Sequence, residues 1–265
     1  VEAADWFDQS KQPVVISAED GIQLHGWLFD PDCAGAKPHL YAICCHGYSG
    51  QPQDMAKYAH RFARLGFTVL VPALRGHGLS EGRYAGMGWL DRRDLMRWIS
   101  LIIDSDADAR ILLQGKSMGA AAVMMTVGEP DLPRNVVAAV EDCGYASVGQ
   151  QFIDCARSMF HLPKFLAKPI VTTMGAIARR RAGYGFQEAS CVEQLKHATI
   201  PMLFIHGGAD DFVPSRALDE NFDACASIDR QKLLIPSAGH SMSASTAPVV
   251  YWKTVTNFVT RVFGL

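Results

Sequence analysis

The sequence contains neither a long apolar run nor an excess of charge of one sign. No stretch approaches the roughly 20 consecutive apolar residues that a membrane-spanning helix requires. The 265 residues include 25 basic and 27 acidic side chains, for a formal net charge of −2. This balance gives no reason to expect nucleic acid or an anionic membrane as a partner. With 49% hydrophobic and 20% charged residues, the composition is typical of a soluble globular protein.

The seven cysteines follow no pattern. None belongs to a C-x-x-C pair or to the paired spacing of a metal site, so the sequence predicts no metal centre. Cys44 and Cys45 lie in an apolar run, where thiols act as small buried hydrophobes. We therefore expect reduced thiols. Cys155 and Cys191 are the pair that would form a disulfide if the protein were extracytoplasmic.

Length and first residue set two further expectations. A chain of 265 residues is near the largest size that one hydrophobic core supports, so we expect a single domain with an insertion. The chain begins with Val1 rather than methionine, which leaves room for a leader, a tag or a membrane anchor before residue 1. We expect a cytoplasmic protein or, if such a segment was removed, a membrane-anchored or extracytoplasmic one.

The stretch around Ser117 carries the main functional signal. An apolar run at residues 111–113 is followed by G-x-S-x-G at residues 115–119 and then by small helix-forming residues. This order predicts a strand, a sharp turn with Ser117 at its apex, and a helix. Glycine is expected at positions 115 and 119, because so tight a turn leaves no space for side chains. The helix N-terminus beneath the serine would favour an anionic intermediate.

Apolar and amphipathic segments alternate from residue 40 onward, after two β-prone runs joined by a D-G turn. This alternation predicts a parallel sheet with helices on both faces, preceded by an antiparallel hairpin. In such sheets ligands bind beyond the carboxyl ends of the strands. His46, the loop at residues 75–80, Ser117 and Asp142 all fall at such ends. Their convergence favours a functional site at this edge.

Residues 146–190 interrupt the alternation and predict a helical cap over the strand ends. One helical stripe contains Phe152, Ala156, Met159 and Phe160, and a second contains Leu166, Ile170, Met174 and Ile177. We expect these stripes to pack onto the body of the protein; a lipid-binding surface is the alternative. Pro163 and Pro169 are expected to punctuate the helices, and the arginines at 179–181 to form a solvated helix end.

A serine nucleophile needs a base within hydrogen-bond reach and an acid that orients the base. Asp142, Asp210 and Asp211 are the acids at strand ends after Ser117, and His240 follows the last predicted strand. The order Ser, Asp, His favours Asp210, which also fits an H-G-x-x-D-x-x-V-P spacing, with Asp142 in reserve. Three other histidines at strand ends are expected to shape loops rather than act as bases: His46, His77 and His206.

Taken together, these motifs resemble those of the α/β-hydrolase superfamily over residues 14–263. They are His46-Gly47-Tyr48, Arg75-Gly76-His77-Gly78-Leu79-Ser80, Gly115-Lys116-Ser117-Met118-Gly119, His206-Gly207-Gly208-Ala209-Asp210 with Val213-Pro214, and Gly239-His240. The resemblance implies an α/β-hydrolase fold: a mostly parallel eight-stranded sheet with an N-terminal antiparallel hairpin, helices on both faces and a helical cap insertion at about 146–190 within a single domain, residues 1–265. The chain is most similar to bacterial single-domain esterase-like hydrolases, some of which carry an N-terminal membrane anchor.

The resemblance also implies roles for individual residues. Ser117 corresponds to the nucleophile, His240 to the general base and Asp210 to the acid that orients it. The backbone N–H groups of Tyr48 and Met118 correspond to the oxyanion hole. Lys116 departs from the family, in which a histidine, glutamate or aromatic residue often precedes the serine. We expect its side chain to point along the surface, without lowering the pKa of the serine or meeting an acidic substrate.

The resulting prediction is a serine hydrolase that cleaves carboxylic esters through an acyl-enzyme intermediate. The expected partner is a small-molecule ester, with no cofactor, metal or nucleic acid, and the oligomeric state is open. The same triad also serves amidases, peptidases and thioesterases, so these activities remain alternatives. A non-catalytic member of the superfamily that keeps the pocket for binding is the alternative from another class.

Overall fold

The computed structural model describes residues 2–265, which form an eight-stranded sheet with helices on both faces. The strands are β1 (Gln12–Ser17), β2 (Gln23–Phe29), β3 (Leu40–Cys45), β4 (Thr68–Pro72), β5 (Arg110–Lys116), β6 (Val136–Asp142), β7 (Met202–Gly207) and β8 (Arg230–Ile235). Their order is β1-β2-β4-β3-β5-β6-β7-β8. β2 pairs antiparallel with β1 and β4, and all other pairs are parallel. The predicted α/β-hydrolase fold is confirmed.

The helices divide between the two faces of the sheet. They are α1 (Glu2–Ser10), α2 (Ala56–Arg64), α3 (Trp89–Ser105), α4 (Met118–Val127), α5 (Val148–Phe160), α6 (Lys164–Ala182), α7 (Cys191–Leu195), α8 (Arg216–Ala224), α9 (Ser243–Thr246) and α10 (Pro248–Phe263). Helices α3, α4, α7 and α8 enclose one hydrophobic core, and α1, α2 and α10 enclose the other. Successive side chains of a strand point to opposite faces, so Ile111 and Leu113 enter the first core and Leu112 the second.

Two local features differ from the sequence predictions. Helix α1 was not predicted, because its few apolar side chains do not indicate a helix until their contacts with distant residues are known. Phe7 is buried in the second core, and Trp6 stacks on Phe29 with ring centroids 4.8 Å apart. Pro169 lies inside α6 rather than at its boundary. Proline removes one backbone hydrogen bond of the helix. The helix nevertheless continues past Pro169, because Val171 and other small side chains of α6 are buried against the protein.

The expectation that both stripes of residues 146–190 pack onto the body is wrong. Phe152 is half-buried and stacks on Phe186, but the apolar side chains at the end of α5 and along α6 are exposed. The physical reason is the narrow, small-residue seam of α6, which buries Ala167, Val171 and Gly175. This side of α6 contacts the rest of the protein, and the neighbouring side, which carries Leu166, Ile170, Met174 and Ile177, is exposed to solvent.

Within residues 2–265, no helix is both long and apolar enough to cross a bilayer. The thiols of Cys44 and Cys45 are buried among apolar side chains, as expected. None of the seven cysteines, all within the described residues, forms a disulfide.

Candidate active site

Ser117 occupies a tight turn between β5 and α4. Its φ of 56° and ψ of −118° are strained for a residue with a side chain, at a cost of about 1–3 kcal/mol. A Cβ at position 115 would lie 2.2 Å from the Gly119 carbonyl oxygen, and one at position 119 would lie 2.3 Å from the Cys45 carbonyl oxygen. Both glycines are therefore required by close backbone approach, while the serine carries the unusual dihedral angles. This geometry matches a nucleophile elbow.

The structure brings together the three side chains that the sequence selects. Ser117 Oγ lies 2.9 Å from His240 Nε2, and His240 Nδ1 lies 2.7 Å from Asp210 Oδ2. The serine follows β5, the aspartate follows β7 and the histidine follows β8, so all three lie at the carboxyl edge of the sheet. Both distances are within hydrogen-bond reach, as proton transfer from a serine to a histidine requires.

Asp210 is held as a carboxylate by its surroundings. Oδ1 accepts hydrogen bonds from the backbone N–H groups of Phe212 (3.0 Å) and Val213 (2.8 Å). Burial by itself would raise the pKa of Asp210, but hydrogen bonds from His206 and His240 hold that pKa well below its usual value. The aspartate can thus fix the imidazole orientation and stabilise an imidazolium without taking the proton.

The other two candidate acids occupy different positions. Asp142 accepts a hydrogen bond from the Tyr251 hydroxyl at 2.9 Å, and the hydrogen bonds of its carboxylate do not include His240. Burial raises the pKa of Asp142 to about 6. Asp211 is exposed to solvent next to Asp210. The geometry therefore favours Asp210 as the partner of the histidine.

The remaining histidines at strand ends bind backbone groups. His46 Nδ1 donates to the Gly47 carbonyl (2.8 Å), and its Nε2 accepts from the Leu74 N–H (3.0 Å). Burial lowers the pKa of His46 to about 4, in agreement with this neutral tautomer. His77 Nε2 accepts the Ser49 N–H at 3.2 Å. Because their acceptor nitrogens are already occupied, these rings shape loops, as the sequence predicts.

His206 is also committed to the loop that carries Asp210. Its Nε2 donates to the Val213 carbonyl at 3.0 Å and lies 3.4 Å from Asp210 Oδ2. The ring is buried beneath the acid and does not reach the serine through either contact. Its role is therefore to position Asp210, in line with the loop-shaping expectation.

The two residues to which the resemblance assigns the oxyanion donors, Tyr48 and Met118, line the same cavity as Ser117. Met118 begins α4, and Tyr48 lies in the loop after β3. A Cβ on Gly47 would lie 3.3 Å from Ser117 Cβ, so this loop contacts the elbow directly. Within residues 2–265, neither amide donates a hydrogen bond to a protein acceptor. The arrangement supplies two free donors and the positive end of a helix dipole.

Ser117 opens onto two cavities of different chemistry. The first, of about 440 Å³, is mainly apolar and extends beneath α5 and α6; its lining includes Met118, Tyr145, Phe152, Met174, Ile177 and Ala178. The second, of about 300 Å³, is more polar and includes His240, Asp54 and Lys116. Lys116 therefore belongs to the wall of a cavity that reaches the serine, and the expectation that its side chain points along the surface stays a prediction. Its ammonium group makes no ion pair with the described residues.

Sequence reasoning missed two neighbours of the triad. Phe212 packs against the His240 ring with centroids 5.0 Å apart, and Cys143 Sγ lies 3.4 Å from Ser241 Oγ. Cys143, Asp210 and His240 place potential metal ligands within 4.8 Å of one another. However, burial keeps the pKa of the Cys143 thiol well above its usual value, and the other two side chains already bind each other. The only sequence feature that could have indicated Cys143 is its position directly after β6.

Comparison with known proteins agrees with the fold. The chain is 26% identical over 255 residues to the uncharacterised protein YqkD of Bacillus subtilis, covering 96% of this chain and 81% of that protein. It is 29% identical over 230 residues to the uncharacterised protein Rv2307c of Mycobacterium tuberculosis, covering 86% and 72%. The esterase Pf2001 of Pyrococcus furiosus superposes with a TM-score of 0.75 at 20% identity, covering 95% of this chain and 92% of that structure.

A family assignment follows from a match to residues 36–175, more than half of the chain. The matched family is described as "Serine aminopeptidase, S33". The segment contains the loop after β3, the serine elbow and most of α5 and α6. The protein is therefore an α/β hydrolase of the serine aminopeptidase S33 family.

Proposed function

We propose that this protein is a serine hydrolase that cleaves carboxylic esters with an apolar acyl group. The observation that carries the proposal is the Ser117–His240–Asp210 relay, with consecutive distances of 2.9 Å and 2.7 Å, at the end of an apolar cavity of about 440 Å³. A serine activated by a histidine is the nucleophile of acyl transfer, and an adjacent apolar cavity suits an acyl chain.

The reaction proceeds in two halves. Ser117 Oγ attacks the ester carbonyl as His240 Nε2 takes its proton, and the Met118 and Tyr48 amides bind the oxyanion. The imidazolium then protonates the leaving alcohol, and the acyl group remains bound to the serine. Water, deprotonated by His240, attacks the acyl-enzyme, and the collapse of the second tetrahedral intermediate releases the acid and restores the serine hydroxyl.

Helices α5 and α6 act in this proposal as a cap that selects the acyl group. They supply Phe152, Met174, Ile177 and Ala178 to the cavity wall, opposite the elbow. Apolar walls contribute affinity in proportion to the apolar area they remove from water, and therefore favour longer acyl chains over acetate. The more polar cavity that contains Lys116 would then receive the alcohol.

Ester cleavage is favoured over aminopeptidase activity by the charges of the apolar cavity. An aminopeptidase must bind the free ammonium group of its substrate, which requires a carboxylate close to the scissile bond. Among the described residues that line this cavity there is no aspartate or glutamate, and Arg181 adds a positive charge. An ammonium group bound in this cavity would therefore be desolvated without a counter-ion, and Asp54 lines the other cavity, to which the proposal assigns the leaving group.

The test is labelling with a fluorophosphonate probe, followed by intact-mass measurement and peptide mapping. We expect one adduct on Ser117, which is lost in Ser117→Ala and His240→Ala but kept in Ser49→Ala, a serine of the neighbouring cavity outside the relay. Turnover of an ester should fall on the order of 10⁶-fold in Ser117→Ala. Absence of an adduct on the folded wild type would refute the proposal and favour a binding protein.

A second assay separates the reaction classes. Ester, anilide and thioester derivatives of one acyl group are compared by kcat/KM with the same enzyme preparation. We expect the ester to be the best substrate. A higher kcat/KM for the anilide would identify an amidase or peptidase, and a higher value for the thioester would identify a thioesterase.

A further inference from the structure

The end of α5 and the outer side of α6 expose an unusual set of large apolar side chains. Phe160 and Phe165 are 70% and 75% exposed. From Leu166 the set continues along α6 at spacings of four and three residues, which place these later members on one side of the helix. We name this set the cap face; its members are Phe160, Phe165, Leu166, Ile170, Met174 and Ile177. Apolar surface of this extent on a soluble protein indicates a partner.

The segment that contains these two helices carries a large net positive charge. Within Val148–Ala182 there are six basic side chains and a single acidic one, a net charge of +5, although the whole chain carries −2. The acid, Asp154, is already paired with Arg216 of α8, and Arg179 is paired with Glu188. The five other basic side chains make no ion pair within residues 2–265: Arg157, Lys164, Lys168, Arg180 and Arg181. The net charge of the whole chain is therefore close to zero only because the positive charge of this segment is offset by negative charge elsewhere in the chain.

The cap face is continuous with the cavity that reaches the serine. Met174 and Ile177 are half-exposed members of the face and also line the apolar cavity. Arg181, one of the five unpaired cations, lines the same cavity. If an apolar phase contacted the cap face, an acyl chain could pass from it into the cavity without crossing bulk water.

We propose that the cap face docks on an anionic phospholipid bilayer, from which the enzyme takes its ester. Apolar side chains with basic neighbours are the chemistry by which helices lie in a membrane interface. A second copy of the chain fits less well, because a two-fold contact through this face would bring two sets of cations together. The extraction of the substrate rests on the proposed function, whereas the docking itself does not.

The test measures sedimentation with vesicles, using Ser117→Ala so that no lipid is consumed. We expect binding to vesicles with about 30% phosphatidylglycerol, and much weaker binding to pure phosphatidylcholine or at about 1 M salt. The variant Phe160→Asp/Phe165→Asp should bind roughly 30-fold more weakly or worse, and removal of each arginine at 180 and 181 should cost about fivefold. The matched control is Ile228→Asp on the body, where the isoleucine is fully exposed (101%), and it should bind as Ser117→Ala alone does.

Activity assays and a solution mass keep this proposal separate from the catalytic one. In an otherwise wild-type background, Phe160→Asp/Phe165→Asp should hydrolyse a short water-soluble ester normally, because neither phenylalanine lines the cavity. Equal binding of the double variant, or equal binding to neutral vesicles, would overturn the docking. If light scattering found a dimer of the wild type and a monomer of the double variant, the cap face would instead be a contact between two copies of the chain. Docking without fluorophosphonate labelling would refute only the proposed function.

Discussion

The substitution Asp210→Asn makes the sharpest test of the proposed relay. The backbone N–H groups of Phe212 and Val213 both point at Oδ1, so an asparagine must place its carbonyl oxygen there. Its NH₂ group then faces His240 Nδ1, which is 2.7 Å from Oδ2 in the wild type. An NH₂ donor at this point requires a lone pair on Nδ1. The ring proton therefore moves to Nε2, the atom that must accept the proton of Ser117.

The expected loss follows from this tautomer. A histidine with its proton on Nε2 cannot act as the base, and the corresponding change in a serine triad lowers kcat by about 10⁴-fold. That factor is equivalent to about 5.5 kcal/mol of activation free energy. KM should change little, because the cavity walls are untouched. The assay is steady-state hydrolysis of a chromogenic ester, with circular dichroism to verify the fold.

Asp142→Asn provides the matched control for this experiment. Asp142 is equally buried and also follows a strand, but it binds the Tyr251 hydroxyl, for which an amide oxygen is an adequate acceptor. Its kcat should stay within about threefold of wild type. The reasoning is refuted if Asp210→Asn keeps kcat within tenfold, or if Asp142→Asn loses as much activity as Asp210→Asn.

Three further predictions concern stability and acyl selection. Gly115→Ala, whose Cβ would lie 2.2 Å from the Gly119 carbonyl oxygen, should lower the free energy of unfolding by roughly 2–4 kcal/mol in urea titrations, whereas Gly239→Ala, with open space around it, should not. Burial raises the pKa of Glu141 to about 8, so the folded state keeps a proton that the unfolded chain releases above about pH 4.5. The wild type should therefore lose stability relative to Glu141→Gln as the pH rises towards 8, by up to about 1.4 kcal/mol per pH unit, and a constant difference between the two proteins would contradict this. Ala178→Trp should fill the apolar cavity and lower kcat/KM for an octanoate ester at least about tenfold relative to an acetate ester, and equal effects on both esters would show that the acyl chain binds elsewhere.

The sheet and the placement of the site could be predicted because their signals are local. Buried strands give continuous apolar runs, and the glycines around Ser117 report contacts within one turn. Asp210 could be selected over Asp211 because the spacing to Val213 reflects a real hydrogen bond from the Val213 amide. In these cases the determining contact lies within a few residues along the chain.

The features that were missed depend on distant contacts. A helical stripe has the same periodicity whether it packs on the protein or faces outward, so the exposure of Ile170 could not be deduced from the sequence. The second cavity, beside Lys116, could not be predicted because it is lined by the loops after β3 and β8, which are distant in the sequence. Helix α1 likewise depends on contacts of Trp6 and Phe7 with Phe29.

The position of α5 and α6 in the chain has an evolutionary consequence. The proposed relay and oxyanion donors follow β3, β5, β7 and β8, whereas Val148–Ala182 enters between β6 and β7 and contributes none of them. A hydrogen bond from Gln151 to the Phe212 carbonyl and the ion pair of Asp154 with Arg216 fasten this segment to the body. Besides the apolar packing of Val148, Phe152 and Val171, few side-chain polar interactions with the body would need to be preserved if the segment were exchanged. Descendants of one ancestral enzyme could therefore acquire new substrates by recombining these 35 residues, numbered 148–182, while inheriting the reaction unchanged.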